Sequence, residues 1–411
     1  MPEAVVVGAG MTGLSVAWFL QNHGFDVEVI DRVGVVGGSS WGNAGWLAPG
    51  KSKTIPLAHP SLWRYGPTAL FDPNAALAVP PRIDPRLWAF CARFMAHATR
   101  SGWDETMAAL TPADKLALAA YDELVDGGVE ARTHTGDYVA AFRDEKEAGG
   151  FIGEIEGAVR HGQEISFEYI DRDAALGLAP VLSEAARAVY RIGGQRYIEP
   201  GPFCEAIAES VRARGGRVTT GVAVTEVNST RKPVLELSTG EYRTPDTVVL
   251  AAGAWLPELA RRLGVRTMVQ AGRGYSFSVP TETPVEHPIY LPEQRVACTP
   301  YQGRLRIAGT MEFRGPDEAF QPARIDSVVE AVRPMFTGVD LDDRKDEWVG
   351  SCPVTPDGLP LIGATKAPNV YTTGGHGMWG VVLGPVSGKL LAEQIATGRV
   401  DPVLKPFDPL R

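Results

Sequence analysis

The chain has few cysteines and no recognisable metal-binding spacing. Of its 411 residues only four are cysteines, and Cys91, Cys204, Cys298 and Cys352 lie far apart, with no Cys-x-x-Cys pair and no matching histidine pair. This pattern indicates neither a zinc site nor a disulfide framework. We therefore expect no bound metal and a reducing compartment, the cytoplasm.

Long apolar runs and basic stretches are also missing. No segment has the roughly 20 uninterrupted apolar residues of a membrane span, and the first residues lead into a strand without an apolar leader, so we expect no export. Residues 57–95 are rich in Trp, Pro and Leu, which fits either peripheral membrane contact or a lid over a ligand. The net charge of -9 argues against nucleic-acid binding, which usually needs a basic surface.

What the chain does have is a large apolar fraction and a glycine-rich fingerprint at its start. A hydrophobic content of 44% over this length favours two domains. Residues 4–7 predict a buried parallel strand that runs into Gly8-Ala-Gly-Met-Thr-Gly13, and a helix and a second strand ending at Asp31 follow. This order predicts a dinucleotide site, with the diphosphate at the helix N-terminus and the ribose hydroxyls on Asp31.

Three later features favour FAD over NAD. A loop of small residues, 37–45, can wrap an extended FAD, and residues 247–255 predict a buried strand that ends in small residues. A strand at 369–373 runs into a glycine-rich turn, 374–380, and the helix after it directs its positive end to where negative charge develops on a reduced flavin. The residues expected to contact FAD are Gly8, Gly10, Met11, Thr12, Gly13, Asp31, Arg32, Ser39, Ser40, Asn43, Ala44, Gly45, Leu47, Val224, Ala252, Gly253, Trp255, Gly363, Gly375, His376, Gly377, Met378, Trp379 and Gly380.

The remaining segments predict a second domain. Residues 84–126 favour helix, with Pro85 and Pro112 at helix starts, and residues 273–279, 295–299 and 305–310 favour an antiparallel sheet. The predicted class is α/β, with a Rossmann-like FAD domain discontinuous over 1–50, 197–265 and 350–411. An α+β substrate domain takes 51–196 and 266–349, and we expect the substrate between the two.

Across nearly its whole length the chain resembles the glycine oxidase and D-amino acid oxidase superfamily, above all bacterial D-amino acid dehydrogenases, and it is similar to glyphosate oxidoreductase. The motifs that carry the resemblance are the N-terminal fingerprint, Asn43-Ala-Gly45, Arg273-Gly-Tyr275, Leu305-Arg-Ile-Ala-Gly-Thr310 with Glu312-Phe313, Thr355-Pro-Asp-Gly-Leu-Pro-Leu-Ile-Gly363 and Gly375-His-Gly377. The resemblance implies non-covalent FAD and oxidation of a C–N bond by hydride transfer to flavin N5. The imine product then hydrolyses, and O2 or an electron carrier accepts the electrons.

One departure concerns the substrate's carboxylate. Relatives that act on amino acids carry an arginine where this chain has Cys352, and the second arginine of glycine oxidase corresponds to Met378. We expect Arg273 to replace them as anion partner, and Tyr275, Tyr301 and His376 to orient the substrate or the flavin ring. A salt bridge for Arg273 and simple packing for the tyrosines are the alternatives.

Three functional hypotheses follow for the chain. The first is an FAD-dependent oxidoreductase for an amino acid or related amine, and the second is a flavin enzyme for a bulky or carboxylate-free amine. The third is a non-catalytic flavin-binding module. A flavin joined to a cysteine, as in monomeric sarcosine oxidase, is disfavoured because the corresponding position is Gly350 rather than Cys352.

Overall fold

A computed structural model describes residues 1–48, 59–63, 72 and 75–411 of the chain. Of the apolar segment 57–95, for which we considered a membrane contact or a lid, residues 57, 58, 64–71, 73 and 74 lie outside the described residues. Within the described ranges, no helix combines the length and the apolar character needed to cross a bilayer.

The described strands and helices alternate along the chain. The strands are β1 (Glu3–Val7), β2 (Asp26–Asp31), β3 (Trp46–Leu47), β4 (Leu77–Ala78), β5 (His134–Thr135), β6 (Tyr138–Phe142), β7 (Ser166–Ile170), β8 (Ala188–Gly193), β9 (Arg196–Tyr197), β10 (Arg217–Thr220), β11 (Val224–Ser229), β12 (Pro233–Leu237), β13 (Tyr242–Arg243), β14 (Thr247–Leu250), β15 (Gln270–Val279), β16 (Ile289–Leu291), β17 (Val296–Tyr301), β18 (Arg304–Phe313), β19 (Lys345–Val354), β20 (Leu361–Ala364) and β21 (Val370–Gly374). The helices are α1 (Met11–Asn22), α2 (Pro85–His97), α3 (Arg100–Asp126), α4 (Glu145–Arg160), α5 (Arg172–Leu178), α6 (Pro200–Ala213), α7 (Leu256–Ala260), α8 (Pro322–Val332) and α9 (Gly380–Thr397).

A six-stranded sheet organises the N-terminal fingerprint. Its order is β10-β2-β1-β14-β21-β20, and every neighbouring pair is parallel except β20 with β21. The central strand β1 is rich in valine and buried from Ala4 to Val7, as expected for a strand covered on both faces. Because β1, β14 and β21 are adjacent and parallel, the loops that follow them meet at one edge of the sheet.

Helices α1 and α9 pack on each other above this sheet, and two glycines allow their close approach. A Cβ on Gly384 would lie 2.7 Å from Met11 Cγ, and one on Gly388 would lie 2.8 Å from Ser15 Cβ. Any larger residue at either position would separate the helices. The close packing brings the N-termini of α1 and α9 to the same edge of the sheet.

A second, mostly antiparallel sheet contains the long strands of the C-terminal half. Its order is β19-β15-β18-β17-β16-β6-β8-β7, and β4 pairs with β18. Strand β15 lies between β18 and β19, and both pairings are antiparallel. One face of β15 places Tyr275, Phe277 and Val279 in a buried cluster with residues of α8. The other face lies towards the parallel sheet, since Ser276 Oγ donates to the carbonyl of Gly42 at 2.7 Å.

The predicted class, a mixed α/β fold with a parallel and an antiparallel sheet, is confirmed. Residues 84–126 differ in one detail, because Pro112 lies inside α3 rather than at a helix start. The helix begins earlier because Thr99 Oγ1 accepts the N–H of Gly102 at 3.1 Å and caps it there. Pro85 does stand at the start of α2, behind the capping carboxylate of Asp84. The predicted domain boundaries stay a prediction.

Candidate cofactor and active site

A cavity of about 410 Å³ opens at the carboxyl ends of β1, β14 and β21. Ligands of open parallel sheets bind at this edge, and the volume falls within the range of ligand pockets. The edge strand of the second sheet closes one side of the cavity with Ser351, Cys352 and Pro353. Both sheets therefore contribute to a single site.

The glycine turn after β1 brings backbone to the cavity in a geometry that excludes side chains. Gly8 has φ +117°, and a Cβ there would lie 2.4 Å from the carbonyl oxygen of Ala251. A Cβ on Gly13 would lie 2.0 Å from the carbonyl oxygen of Gly8. The first turn of α1 contains no acidic residue, so its partial positive charge is available to an anion.

Asp31 fixes the turn from the neighbouring strand. Its Oδ2 accepts the N–H of Ala9 at 2.8 Å, and its Oδ1 accepts the N–H groups of Val33 and Gly34 at 2.8 and 3.0 Å. The carboxylate therefore joins the glycine turn to the loop after β2 and still borders the cavity. Carboxylate oxygens accept more than one hydrogen bond, so ribose hydroxyls can share it with the backbone donors.

Arg32 and Trp255 lie against each other at the cavity wall. The guanidinium carbon of Arg32 is 3.8 Å from the centroid of the Trp255 ring. Asp317 joins the pair, because it accepts from Arg32 Nη2 at 2.8 Å and from Trp255 Nε1 at 2.8 Å. This contact links the parallel-sheet region to the loop after β18.

The turn after β21 supplies the far wall. Thr373 and His376 line the cavity, and Thr373 Oγ1 is buried without a hydrogen-bond partner among the described residues. His376 is 2% exposed, and its Nε2 lies 3.0 Å from Ser387 Oγ on α9, which fixes the imidazole beneath the turn. Helix α9 begins directly after the turn, at Gly380. An unsatisfied hydroxyl and a second helix N-terminus thus lie beside the cavity.

The cavity gathers most of the residues that the sequence predicts for FAD. Those that line it are Gly8, Gly10, Met11, Thr12, Gly13, Asp31, Arg32, Ser39, Ser40, Asn43, Val224, Ala252, Gly253, Trp255, His376, Gly377 and Gly380. Those that do not are Ala44, Gly45, Leu47, Gly363, Gly375, Met378 and Trp379. Gly363 lies near Pro409, whereas the carbonyl of Ala44 accepts from Thr299 Oγ1 on the second sheet at 2.7 Å.

Sequence reasoning missed several lining residues, among them Gly37, Gly38, Ala251, Ser351, Cys352, Pro353, Thr373 and Gly374. Gly37, Gly38 and Gly374 lie within loops that the sequence did single out, so the same glycine-rich signal extends to them. Ser351 to Pro353 belong to the second sheet, and no local pattern indicates that a strand edge borders a cofactor site.

Two of the predicted catalytic residues lie away from the cavity. Arg273 is 1% exposed, with its Nη1 3.1 Å from the carbonyl oxygen of Ala319 and 3.7 Å from Glu312 Oε1. The hydroxyl of Tyr275 donates to the same carboxylate oxygen at 2.5 Å, and Arg314 Nε donates to Glu312 Oε2 at 2.7 Å. Burial and the bond to Glu312 raise the pKa of Tyr275 well above its usual range. These side chains form a closed network around Glu312.

Tyr301 also lies outside the cavity lining, in a stack at the junction of the two sheets. The guanidinium carbon of Arg306 lies 4.0 Å from the centroid of Tyr301 and 4.8 Å from the centroid of Trp41. Arg306 is 1% exposed, so this cation–π arrangement is desolvated. It holds the loop that carries Ser40 and Asn43 against the second sheet.

Cys352 and Met378, the two positions where the resemblance leads one to expect arginine, meet in one apolar cluster. Cys352 is buried there with Met311 and Phe313, and Met378 packs against the cluster from the turn before α9. Burial raises the pKa of the Cys352 thiol to about 12, so the thiol is neutral. A neutral thiol therefore borders the cavity at the position where the resemblance implies a cation.

The residues present fit FAD. The glycine turn and the two helix N-termini suit a diphosphate and a flavin ring that becomes negative on reduction. The buried Thr373 hydroxyl, which has no hydrogen-bond partner among the described residues, can bond to a polar group of the flavin. Fold and site together define a dinucleotide-binding oxidoreductase of the Rossmann type.

The chain belongs to the FAD dependent oxidoreductase family, whose profile matches residues 3–394. It is 29% identical over 411 residues to a D-amino acid dehydrogenase of Azorhizobium caulinodans, covering 95% of each protein. The structure is similar to that of glycine oxidase from Geobacillus kaustophilus, with TM-score 0.75 and 20% identity over 100% of this chain and 99% of the other. It is also similar to reduced L-α-glycerophosphate oxidase from Mycoplasma pneumoniae with FAD bound, with TM-score 0.73 and 15% identity over 98% and 96%. FAD is therefore the cofactor, and the resemblance stated from the sequence is confirmed.

Proposed function

We propose that this chain oxidises the C–N bond of an amino acid or a related amine. The product is an imine, which water hydrolyses to a keto acid or an aldehyde with release of ammonia or an amine. FAD, when bound, supplies the hydride acceptor at its N5 atom. The name of the A. caulinodans relative, a D-amino acid dehydrogenase, supports this reaction class.

The observation that carries the proposal is that the uncharged thiol of Cys352 lines the cofactor cavity. Of the ionisable residues that line the cavity, Asp31 accepts three backbone N–H groups, Arg32 pairs with Asp317, and His376 contacts Ser387. Glu258 belongs to helix α7, which follows β14 of the parallel sheet rather than the strand of Cys352. A substrate at Cys352 would meet a neutral thiol rather than a general base. Oxidation of a neutral amine suits such a site, because the nitrogen lone pair itself drives loss of the hydride and positioning supplies the catalysis.

Different groups of residues bind the different parts of FAD. In this proposal the N–H groups around Gly10 and Met11 bind the diphosphate, and Asp31 binds the ribose. Thr373 and the start of α9 contact the flavin ring. His376 acts as a positioning residue, since its imidazole holds the turn onto α9 through Ser387.

The test is anaerobic mixing of the purified holoprotein with D-amino acids, L-amino acids, N-methyl amino acids and primary amines. We expect at least one amine to bleach the visible absorbance of the flavin, and mixing with free FAD serves as the control. If dithionite bleaches the protein-bound flavin but no compound of the panel does, amine oxidation is wrong and a non-catalytic flavin-binding role gains support. Readmission of air to a bleached sample then distinguishes O2 from a separate electron carrier as acceptor.

A further inference from the structure

The cluster around Cys352 extends from the cofactor cavity as an aromatic and thioether wall. Phe313 makes edge-to-face contacts with Phe90 and Phe94 of α2, with ring centroids 5.3 and 5.5 Å apart and interplanar angles of 88° and 89°. Met311 and Cys352 complete the buried surface, and Cys352 also lines the cavity. Of this cluster Cys352 lines the cavity, and the buried rings and Met311 pack behind it, so a substrate group beside Cys352 has apolar surroundings.

Two glycines of β15 lie on the same face of the second sheet as Cys352, and the space around them differs. In the strand register Gly272 lies between Phe313 and Cys352, and Gly274 lies between Met311 and Gly350. The space above Gly272 is filled, since a Cβ there would lie 2.7 Å from Met311 Sδ. A Cβ on Gly274, in contrast, would have no atom of the described residues within 4 Å. Open space thus adjoins the apolar wall.

Of the described cations next to these strands, Arg273 and Arg314 contact Glu312 rather than Cys352. Arg273 is the register partner of Glu312 and Ser351, one residue out of step with Gly272 and Cys352, so its side chain projects from the other face. Arg314 contacts Glu312 and Glu318, and Arg82 contacts Glu318. A carboxylate at Cys352 would therefore be desolvated beside a neutral thiol, which is costly without a charged partner.

We propose, on the basis of the amine oxidation proposed above, that the substrate places an apolar or aromatic, carboxylate-free group beside Cys352. The wall there is the Cys352 thiol, backed by Met378, Met311 and Phe313. The substrate class is an arylalkyl or bulky alkyl amine rather than a free amino acid. Specificity follows from Cys352 and Met378, the two positions where the resemblance implies a cation and this chain has sulfur.

The first test compares ligands that differ only in the carboxylate. Phenethylamine and the two enantiomers of phenylalanine are mixed anaerobically with holoprotein over a concentration series, and the rate constant of flavin bleaching is divided by the apparent dissociation constant. We expect this ratio to favour phenethylamine by about tenfold or more, because the wall offers no partner for the anion. An equal or higher ratio for either phenylalanine overturns the proposal.

A binding measurement separates this proposal from the proposed reaction. Calorimetric titration of the holoprotein with the same three compounds reports affinity whether or not the flavin is reduced. Tighter binding of phenethylamine without bleaching would support the apolar wall while contradicting amine oxidation. Tighter binding of phenylalanine, or no binding of any of the three, contradicts the apolar wall.

Variants at Cys352 test the residue itself. Cys352→Arg restores a guanidinium at the cavity, and we expect the preference to shift towards a phenylalanine enantiomer by about tenfold, since arginine binds carboxylates bidentately. Cys352→Leu is the matched control, with a bulkier but apolar side chain, and should keep the preference for phenethylamine. An unchanged preference in a folded Cys352→Arg protein would contradict the proposal.

A substitution at Gly274 provides a second test in case the Cys352→Arg protein does not fold. Gly274→Val adds a side chain on β15 where no atom of the described residues lies within 4 Å, so the fold should tolerate it. We expect bleaching by phenethylamine to fall about tenfold while bleaching by ethylamine falls less, because a buried pocket discriminates by volume. Equal losses for both amines would place the substrate away from this wall.

Discussion

The two sides of the cavity are built in different ways. On the cofactor side backbone groups face the ligand, because Gly8 and Gly13 leave no room for side chains and Asp31 fixes the turn. On the side of the second sheet the uncharged residues Ser351, Cys352 and Pro353 line the cavity, and the charged groups form a separate network around Glu312. Backbone recognition tolerates little change in sequence, whereas a side-chain wall changes specificity through single residues.

The largest effect is expected on the cofactor side. Gly8→Ala places a Cβ 2.4 Å from the carbonyl oxygen of Ala251 at φ +117°, so we expect loss of bound FAD and about 3 kcal/mol or more of stability. Absorbance of the purified protein reports flavin content, and urea unfolding reports the free energy. Gly24→Ala is the matched control, since Gly24 also has positive φ (+79°) but open space around it. Full flavin content in Gly8→Ala would contradict the backbone cradle.

On the side of the second sheet the largest effect is expected at Glu312. Glu312→Gln removes the charge that faces Arg273 and Arg314 in a buried network, so we expect the free energy of unfolding to fall by about 3 kcal/mol. Flavin content should be unchanged, because the network does not line the cavity. Glu318→Gln, at a carboxylate whose side chain is 32% exposed, is the control and should cost less. Equal losses in both variants would show that burial of the network is unimportant.

Helix α4, which packs against β6 of the second sheet, carries a carboxyl group that makes stability depend on pH. Burial raises the pKa of Glu154 on α4 from 4.5 to about 7. The folded state then holds its proton more tightly than the unfolded state, so this group lowers stability as pH rises from 4.5 to 7.

Glu154→Gln should abolish the fall in stability that the Glu154 carboxyl causes as the pH rises from 4.5 to 7. The free energy of unfolding of the variant, minus that of the protein that keeps Glu154, should grow by on the order of 2 kcal/mol across this window and level off above it. His59 Nε2 lies 3.7 Å from Glu154 Oε1, and burial lowers the pKa of His59 to about 4, so both proteins carry His59→Gln to remove its titration from the comparison. A difference independent of pH would contradict the raised pKa of Glu154.

The smallest effect is expected at Asp317, which links the two sides of the cavity through Arg32 and Trp255. Asp317→Asn weakens the contacts with Arg32 and Trp255, yet the side chains of Arg32 and Asp317 are 41% and 62% exposed. Exposed ion pairs contribute little, so we expect a loss below about 1 kcal/mol in urea unfolding and unchanged flavin content. A loss comparable with that of Glu312→Gln would show that the link, rather than the buried network, holds the sides together.

The sequence predicted the cofactor side well because its signal is local. The turn, helix α1 and strand β2 follow one another within about 30 residues, and each glycine has a steric reason that a linear pattern retains. The cofactor and the family followed from the same motifs and are confirmed. The single helix start that failed, Pro112, was a position where the Thr99 cap outweighed the proline signal.

The second sheet was harder to predict because its arrangement depends on register between distant strands. Sequence alone determined that the chain binds FAD on an N-terminal βαβ unit and that sulfur stands at Cys352 and Met378. Only the tertiary structure decided that these two meet in one apolar wall, and that Arg273, one residue from Gly272, projects to the opposite face and contacts Glu312. The physical reason is the period of two in a β-strand, because a shift of one residue moves a side chain from one face of the sheet to the other.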